Sequence, residues 1–176
     1  MIVYKFVLDI ISKHTKLNGR IVDFGCGEGL YSQPLIDAGF KYTGVDQSPR
    51  GDSFVTSDIR FTPLQNNCAD TVFGVASFYF AGPAAFEEAF RLLDEDGKLI
   101  IFDYKKRVLR KIDKLNPDFG ISCWSKRDLF NALEKCGFRS ATEISYSHPF
   151  SRLHLFTLKG IKSFFFSSWV IIVAVK

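Results

Sequence analysis

"IVDFGCGEGLYSQPLIDAGFKYTGVDQS", the stretch from Ile21 to Ser48, places a glycine-rich turn between two apolar runs that each end in an aspartate. The two runs predict buried strands, and the segment after the glycines predicts a helix. A strand that leads through glycines into a helix directs backbone N–H groups and the positive helix end toward the carboxyl edge of a parallel sheet. The stretch therefore predicts a nucleotide-type ligand at that edge.

The alternation of strands and helices continues along the chain. Apolar runs bounded by glycine or aspartate predict seven strands, at Arg20–Phe24, Lys41–Val45, Ser53–Ser57, Thr71–Ala76, Lys98–Phe102, Thr142–Tyr146 and Ser168–Val175. Helical spacing predicts helices at Gly29–Ala38, Pro83–Leu93 and Ser125–Cys136, and an amphipathic helix before the first strand. Gly97 is expected to end the second of these helices, and Ser125 with Asp128 to begin the third with a capping box. This pattern predicts an α/β fold: a doubly wound, parallel sheet covered by helices on both faces.

Length and composition favour one compact unit. The chain has 176 residues, of which 47% are hydrophobic, and this predicts a single domain spanning residues 1–176. The four cysteines show neither a paired spacing nor a suitably spaced histidine, so we expect no metal site and a reducing, cytoplasmic location. The apolar C-terminal stretch is too short for a membrane span.

Two spacings in the glycine region depart from common patterns. The dinucleotide fingerprint GxGxxG would need glycine where Leu30 stands, which argues against a NAD-linked oxidoreductase. Asp46 and Asp58 are only twelve positions apart, too close for the usual helical crossover between parallel strands. We therefore predict that the helix between the second and third strands is shortened or absent.

Four motifs in order carry a family resemblance: "VDFGCGEG", "GVDQS", "SDIRFTPLQNNCADTVFGVASF" and "AFEEAFRLLDEDGKLIIFDY". Together they resemble the class I S-adenosylmethionine-dependent methyltransferases, in particular the small UbiE-like branch (methyltransferase type 11). The similarity covers Gly19 to Tyr104, about half of the chain. It implies a Rossmann-like, seven-stranded sheet that is mostly parallel with an antiparallel last strand. It also implies S-adenosyl-L-methionine as the cofactor and methyl transfer as the reaction.

The resemblance also implies roles for particular residues. Asp46, followed by Gln47, would hold the ribose diol, because an ionised carboxylate accepts two hydrogen bonds side by side. Asp23 would hold the cofactor's ammonium group, while Asp58 and Ile59 would flank the adenine. Ser77 would form the wall of the methyl-transfer site. The glycine loop against the methionine moiety comprises Gly25, Cys26, Gly27 and Gly29. Asp23 and Asp46 could instead be turn carboxylates at strand ends, and Cys26 a small packing residue.

The methyl acceptor is less well defined by the sequence. The motifs typical of enzymes that methylate amide or exocyclic amino nitrogens, or cytosine carbon, are missing after the fourth strand. We therefore expect a small hydrophobic or anionic acceptor, methylated on oxygen or carbon. His148 and Tyr79 are the candidate catalytic residues, each with a plain structural role as the alternative. An RNA methyltransferase and a non-catalytic, cofactor-binding partner subunit remain open.

A basic segment follows the fifth strand. Its cations are Lys105, Lys106, Arg107, Arg110, Lys111 and Lys114, opposed by one acid, Asp113. The chain as a whole has a net charge of +4, so the remainder is close to neutral. The segment predicts an amphipathic helix with a basic face, which indicates either RNA or another acidic surface as a partner, or simply a solvated helix face.

Overall fold

The chain forms one twisted sheet with helices on both faces. The computed structural model describes residues 2–50, 54–144 and 169–176. The helices are α1 Ile2–His14, α2 Ser32–Asp37, α3 Phe78–Ala81, α4 Pro83–Leu92, α5 Lys106–Leu115 and α6 Lys126–Lys135, with a 3₁₀ turn at Pro117–Phe119. The strands are β1 Arg20–Phe24, β2 Lys41–Asp46, β3 Val55–Thr56, β4 Ala69–Val75, β5 Leu93–Tyr104, β6 Ser140–Glu143 and β7 Trp169–Val175.

The strand order confirms the predicted topology. The seven strands lie in the order β3-β2-β1-β4-β5-β7-β6. Strands β1 to β5 pair in parallel, whereas β7 runs antiparallel to both of its neighbours, β5 and β6. Because β1 pairs with β2 on one side and with β4 on the other, the carboxyl ends of these three strands meet at one edge. From β1 the sheet grows toward β2 and β3 on one side and toward β4 and β5 on the other, so the strand order switches direction between β1 and β4. Ligands bind at this switch point in open α/β sheets.

Each face of the sheet is covered by its own helices. On one face the strand residues Ile21 and Phe73 pack with apolar side chains of α1 and α2. On the other face Val22 and Val72 pack with α4 and α6. Neighbouring residues of a strand point to opposite faces, so a strand buried on both faces is apolar throughout. Both helix layers were expected from these continuous apolar runs.

The connection between β2 and β3 contains no helix among its described residues, 47–50 and 54, as predicted. Strand β3 is short and pairs with β2 only through Val45↔Val55 and Asp46↔Thr56. The predicted strand Ser53–Ser57 is therefore trimmed, and Ser53 itself lies outside the described residues. This tight return brings the segment around Asp58 close to the end of β2.

Gly97 does not end a helix, contrary to prediction. Helix α4 ends at Leu92, and Leu93 is already extended (φ −67°, ψ 138°) and pairs with Ala69 of β4. The next paired residues are Thr71 and Lys98, so the register of β5 against β4 shifts between Leu93 and Lys98. Within this part of β5, Asp96 has a positive φ of 62°. The turn-forming residues 94–97 thus produce an irregularity inside a long strand rather than a helix cap.

The remaining boundaries agree more closely with the sequence. The capping box of α6 is present, with the Ser125 hydroxyl accepting from the Asp128 amide and the Asp128 carboxylate from the Ser125 amide. Gly137 follows this helix with φ 100°. The predicted strand Thr142–Tyr146 begins earlier, at Ser140, and Tyr146 lies outside the described residues.

Glu88 anchors α4 to the loop after β3, and its replacement is expected to destabilise the fold. This nearly buried carboxylate accepts from the Thr62 amide (2.7 Å), the Thr62 hydroxyl (2.6 Å) and Arg91 (2.6 Å). Glu88→Gln keeps the shape but removes the charge, so we expect it to lower the free energy of unfolding by about 1–2 kcal/mol. Urea unfolding at pH 7 would measure this, with exposed Glu87→Gln as the control. Equal effects of the two variants would contradict it.

Candidate functional site

A cleft of about 600 Å³ opens at the carboxyl edge of the sheet, where β1, β2 and β4 end. Its lining residues are Gly25, Asp46, Gln47, Asp58, Ile59, Arg60, Ala76, Ser77, Phe80 and Ala81. Six of these ten were site predictions from the sequence. The cleft is polar where β2 and β3 end and mainly apolar beside α3. This size is typical of small-molecule sites.

Asp46 binds the glycine loop directly. One carboxylate oxygen accepts from the Gly27 amide at 2.9 Å, and the other accepts from the Ser48 amide at 2.9 Å. A carboxylate has about four acceptor positions, so each oxygen of Asp46 can accept one further hydrogen bond. Asp46 can thus fix the loop and still hold two adjacent hydroxyl groups of a ligand.

The glycine loop follows β1, and Gly25 is the member of this loop that lines the cleft. The amides of Gly25 and Cys26 donate to the Val45 carbonyl, at 2.8 and 3.1 Å, and this joins the loop to the end of β2. Gly27 has φ 51°, and a Cβ atom placed there would meet no atom within 4 Å. At Gly25, with φ 76°, a Cβ atom would lie 2.7 Å from the Ser77 Cβ. The loop thus needs glycine for two reasons: the backbone angles and the close approach to Ser77.

Two other predicted loop residues lie away from the cleft lining. Cys26 is buried, its thiol lies against Gly44, and burial raises the pKa of the thiol to about 12. It is a packing residue here, which was the alternative that the sequence left open. Gly29 is covered by the ring of Phe54, since a Cβ atom at Gly29 would lie 2.2 Å from that ring. Phe54 was not singled out from the sequence.

Asp23 is buried beneath the loop rather than exposed in the cleft. It is 2% exposed, and the Tyr42 hydroxyl donates to its carboxylate at 2.7 Å. Burial raises the pKa of Asp23 to about 7, the Tyr42 hydrogen bond opposes this shift, and the charge of Asp46 adds to it. Near neutral pH this carboxyl group is therefore poised between its two protonation states, and a nearby cation would favour the charged form.

Asp58 lies across the cleft from the glycine loop and is held by two neighbours. The Gln47 amide donates to it at 2.8 Å, and the Arg60 guanidinium donates at 3.0 and 2.5 Å. The hydrogen bonds from Arg60 lower the pKa of Asp58 below its usual value. Ile59, nearly buried, lines the cleft beside it. Arg60 was missed from the sequence, although its position two residues after Asp58 is a local signal for such a pair.

The opposite end of the cleft is formed by the turn after β4. Ala76 takes φ 57° and donates its amide to the Phe102 carbonyl at 2.8 Å, which fixes the turn to β5. The Ser77 hydroxyl is buried and has no hydrogen-bond partner among the described residues. Phe80 and Ala81 on α3 complete this wall. They were missed because a four-residue helix directly before Pro83 gives no periodic signal.

Tyr79, one of the two candidate catalytic residues, does not line this cleft. Tyr79 is 6% exposed and packs with Leu109 and Ile121 under α5, and burial raises the pKa of its hydroxyl. Its neighbour Phe80 takes the position in the lining instead. His148 lies outside the described residues. No three His, Cys, Asp or Glu side chains within the described ranges converge to hold a metal ion.

Comparisons with known proteins agree with this architecture. A family model described as "Methyltransferase domain" matches residues 22–101. Among solved structures, a SAM dependent methyltransferase from Archaeoglobus fulgidus has a TM-score of 0.72 at 16% identity, covering 99% of this chain and 93% of that one. No curated protein sequence matches the chain.

Two further solved structures share the fold. One is the methyltransferase of Haloferax volcanii in complex with the Trm112 methyltransferase activator (TM-score 0.69, 17% identity, 97% and 93% of the chains covered). The other is geranyl diphosphate C-methyltransferase from Streptomyces coelicolor (TM-score 0.67, 15% identity, 97% and 78% covered). At these identities the likeness shows the fold alone.

Proposed function

Since a methyltransferase-domain family model matches residues 22–101 and the fold is shared with S-adenosylmethionine-dependent methyltransferases, we propose that this chain is a class I S-adenosylmethionine-dependent methyltransferase that methylates a small hydrophobic or anionic acceptor on oxygen or carbon, at the end of the cleft beside Ser77. S-adenosylmethionine supplies a methyl group activated by its sulfonium charge. One observation supports the proposal above others: a single cleft joins a carboxylate-rich end at Asp46 and Asp58 to an apolar end at α3.

The residues of the polar end fit an adenosine. Asp46 has two free acceptor positions after binding the loop amides, which suits the two hydroxyls of a ribose. Asp58 can accept from the exocyclic amine of adenine while Ile59 covers the ring. Gln47 and Arg60 fix the Asp58 carboxylate in place, so it is already oriented when a ligand binds.

The loop and Asp23 fit the amino-acid part of the cofactor. The open backbone at Gly27 admits close approach of a ligand. The buried carboxylate of Asp23 supplies a negative charge for the ammonium group, through the loop amides or water.

The apolar end supplies what methyl transfer needs. An in-line displacement from a sulfonium depends mainly on positioning and exclusion of water, so no general base is required. Ala76, Phe80 and Ala81 exclude water, and the unpartnered Ser77 hydroxyl can hydrogen-bond the acceptor. The solved relative that acts on geranyl diphosphate provides a precedent for a hydrophobic, anionic acceptor in this fold.

Methyl incorporation from labelled S-adenosylmethionine into cell extracts tests this proposal. We expect label in a small-molecule fraction, unaffected by prior ribonuclease treatment. Loss of incorporation after ribonuclease would favour the RNA methyltransferase instead. His148→Ala in the same assay tests the proposed general base, and a loss of turnover below tenfold would exclude that role.

A cofactor-binding subunit that needs a partner is a second candidate. The relative from Haloferax volcanii was solved with an activator protein, which supports this alternative. Activity that appears only when a co-purifying protein is added back, together with co-elution in size-exclusion chromatography, would favour it.

Domain organisation and location are proposals as well. All described strands belong to one sheet, which supports a single domain across residues 1–176. Cys26, Cys68, Cys123 and Cys136 are all free thiols, which supports a cytoplasmic location.

A further inference from the structure

Helix α5 presents a row of cations that the rest of the described chain leaves unpaired. Lys106 forms an ion pair with Asp128 at 3.3 Å. The exposed cations without any ion pair among the described residues are Lys105, Arg107, Arg110, Lys111 and Lys114. Five cations within three turns of one helix form a strongly positive surface, since the acids near them in the sequence are Asp113, Asp118 and the buried Asp103.

The cations point away from the protein. Leu109 is buried against Tyr79 and Ile121, and Val108 and Ile112 are half-buried on the same side. At 3.6 residues per turn, the four cations from Arg107 to Lys114 occupy an arc of about 100° on the opposite side. The apolar side of α5 is thus used for packing, and the basic side faces solvent as a compact patch.

We propose that the basic face of α5 docks on a membrane surface rich in acidic phospholipids. Such surfaces attract clusters of four to eight Lys and Arg residues. Leu115, 80% exposed and next to Lys111 on the helix surface, adds an apolar contact at the edge of the patch. Docking goes beyond the proposed function, because it needs neither the cofactor nor the acceptor.

Two of the aromatic rings that flank α5 pack inside the protein, which favours lipid over base stacking on single-stranded RNA. Stacking of bases requires exposed aromatic rings beside the cations. The Tyr104 ring instead packs on Trp169, with centroids 4.6 Å apart, and the Trp124 ring packs on Phe86 at 5.8 Å. Both Tyr104 and Trp124 are only partly accessible.

Vesicle co-sedimentation without S-adenosylmethionine tests the proposal. We expect binding to phosphatidylcholine vesicles that contain about one third phosphatidylserine, and no binding to pure phosphatidylcholine. Each cation near an acidic surface contributes roughly a fivefold gain in binding, so Arg110→Gln/Lys111→Gln should reduce it about 25-fold. Binding should also fall as salt is raised.

The matched control is Lys13→Gln/Lys41→Gln, which removes the same charge from exposed positions near the amino edge of the sheet. It should leave vesicle binding unchanged. Equal losses in both double variants, or no binding to acidic vesicles, would overturn the proposal. Tighter binding to a single-stranded RNA oligonucleotide than to acidic vesicles at the same ionic strength would also overturn it, in favour of a nucleic-acid surface.

Discussion

Asp46→Ala is expected to weaken S-adenosylmethionine binding about a hundredfold. The substitution removes two charge-assisted hydrogen bonds to the ribose diol, each worth roughly 1.5 kcal/mol or more. It also leaves the Gly27 and Ser48 amides without their acceptor, so the glycine loop loses one of its attachments to the end of β2 while the bonds to the Val45 carbonyl remain. Calorimetric titration of the purified chain with S-adenosylmethionine measures the effect, and NAD should give no heat of binding.

The control for Asp46 is Asp37→Ala. Asp37 is an exposed carboxylate on α2 that accepts from Gln33, outside the cleft. We expect it to leave the dissociation constant unchanged. Thermal unfolding of both variants shows whether either chain is still folded when the titration is made. A folded Asp46→Ala protein that binds within threefold of wild type would contradict the assigned ribose site.

Asp23→Asn is expected to stabilise the protein at high pH while weakening the cofactor site. The native pKa of Asp23 is raised to about 7, above its ordinary value of 3.8. Between pH 4 and 7 the native state therefore binds more protons than the unfolded state, and stability falls as pH rises through that window. Asparagine avoids the buried charge, so we expect a gain of up to roughly 4 kcal/mol at pH 8 and only a small gain near pH 4.

Urea unfolding of wild type and Asp23→Asn at pH 4 and pH 8 checks the sign of this effect. Tyr42 can still donate its hydroxyl proton to the amide oxygen, so packing around residue 23 is kept. Asp37→Asn serves again as the exposed control, and its difference in stability from wild type should be the same at pH 4 and pH 8. If Asp23→Asn were less stable than wild type at pH 8, ionisation of buried Asp23 would not destabilise the native state, and the prediction would be wrong. S-adenosylmethionine binding should weaken in the same variant, because the ammonium group loses its negative partner.

Much of the fold follows from local patterns in the sequence. The strand Arg20–Phe24 was predicted residue for residue because apolar character and turn residues coincide at both of its ends. The capping box at Ser125 similarly fixed the start of α6. Gly97 misled because glycine after acidic residues signals a turn without showing whether the turn ends a helix or interrupts a strand. The pairing of β5 with β4 decides which of the two occurs. This pairing joins residues far apart in the sequence, so local patterns do not reveal it.

The site was predictable where a strand end determines it. Asp46, Asp58 and Ser77 follow strands that meet at one edge, so topology alone brings them together. The hydrogen bond between Tyr42 and Asp23 was not predictable, because it joins neighbouring strands whose register was unknown. Phe80 was not predicted because α3, with four residues, is too short to show the 3.6-residue periodicity of a helix in its sequence. Such residues depend on tertiary contacts that single-sequence patterns do not contain.

The position of β7 determines the order in which the sheet can be completed during synthesis. Among the described strands, β6 pairs with β7 alone, and β7 lies between β5 and β6 although it is made after both. On the ribosome, β6 therefore has no partner strand until Trp169–Val175 has emerged. The parallel strands from β1 to β5 can pair while translation continues, whereas β6 joins the sheet only after release of that last segment from the exit tunnel. A chain shortened before Trp169 would keep the cleft residues but expose the outer edge of β5, a ready template for aggregation.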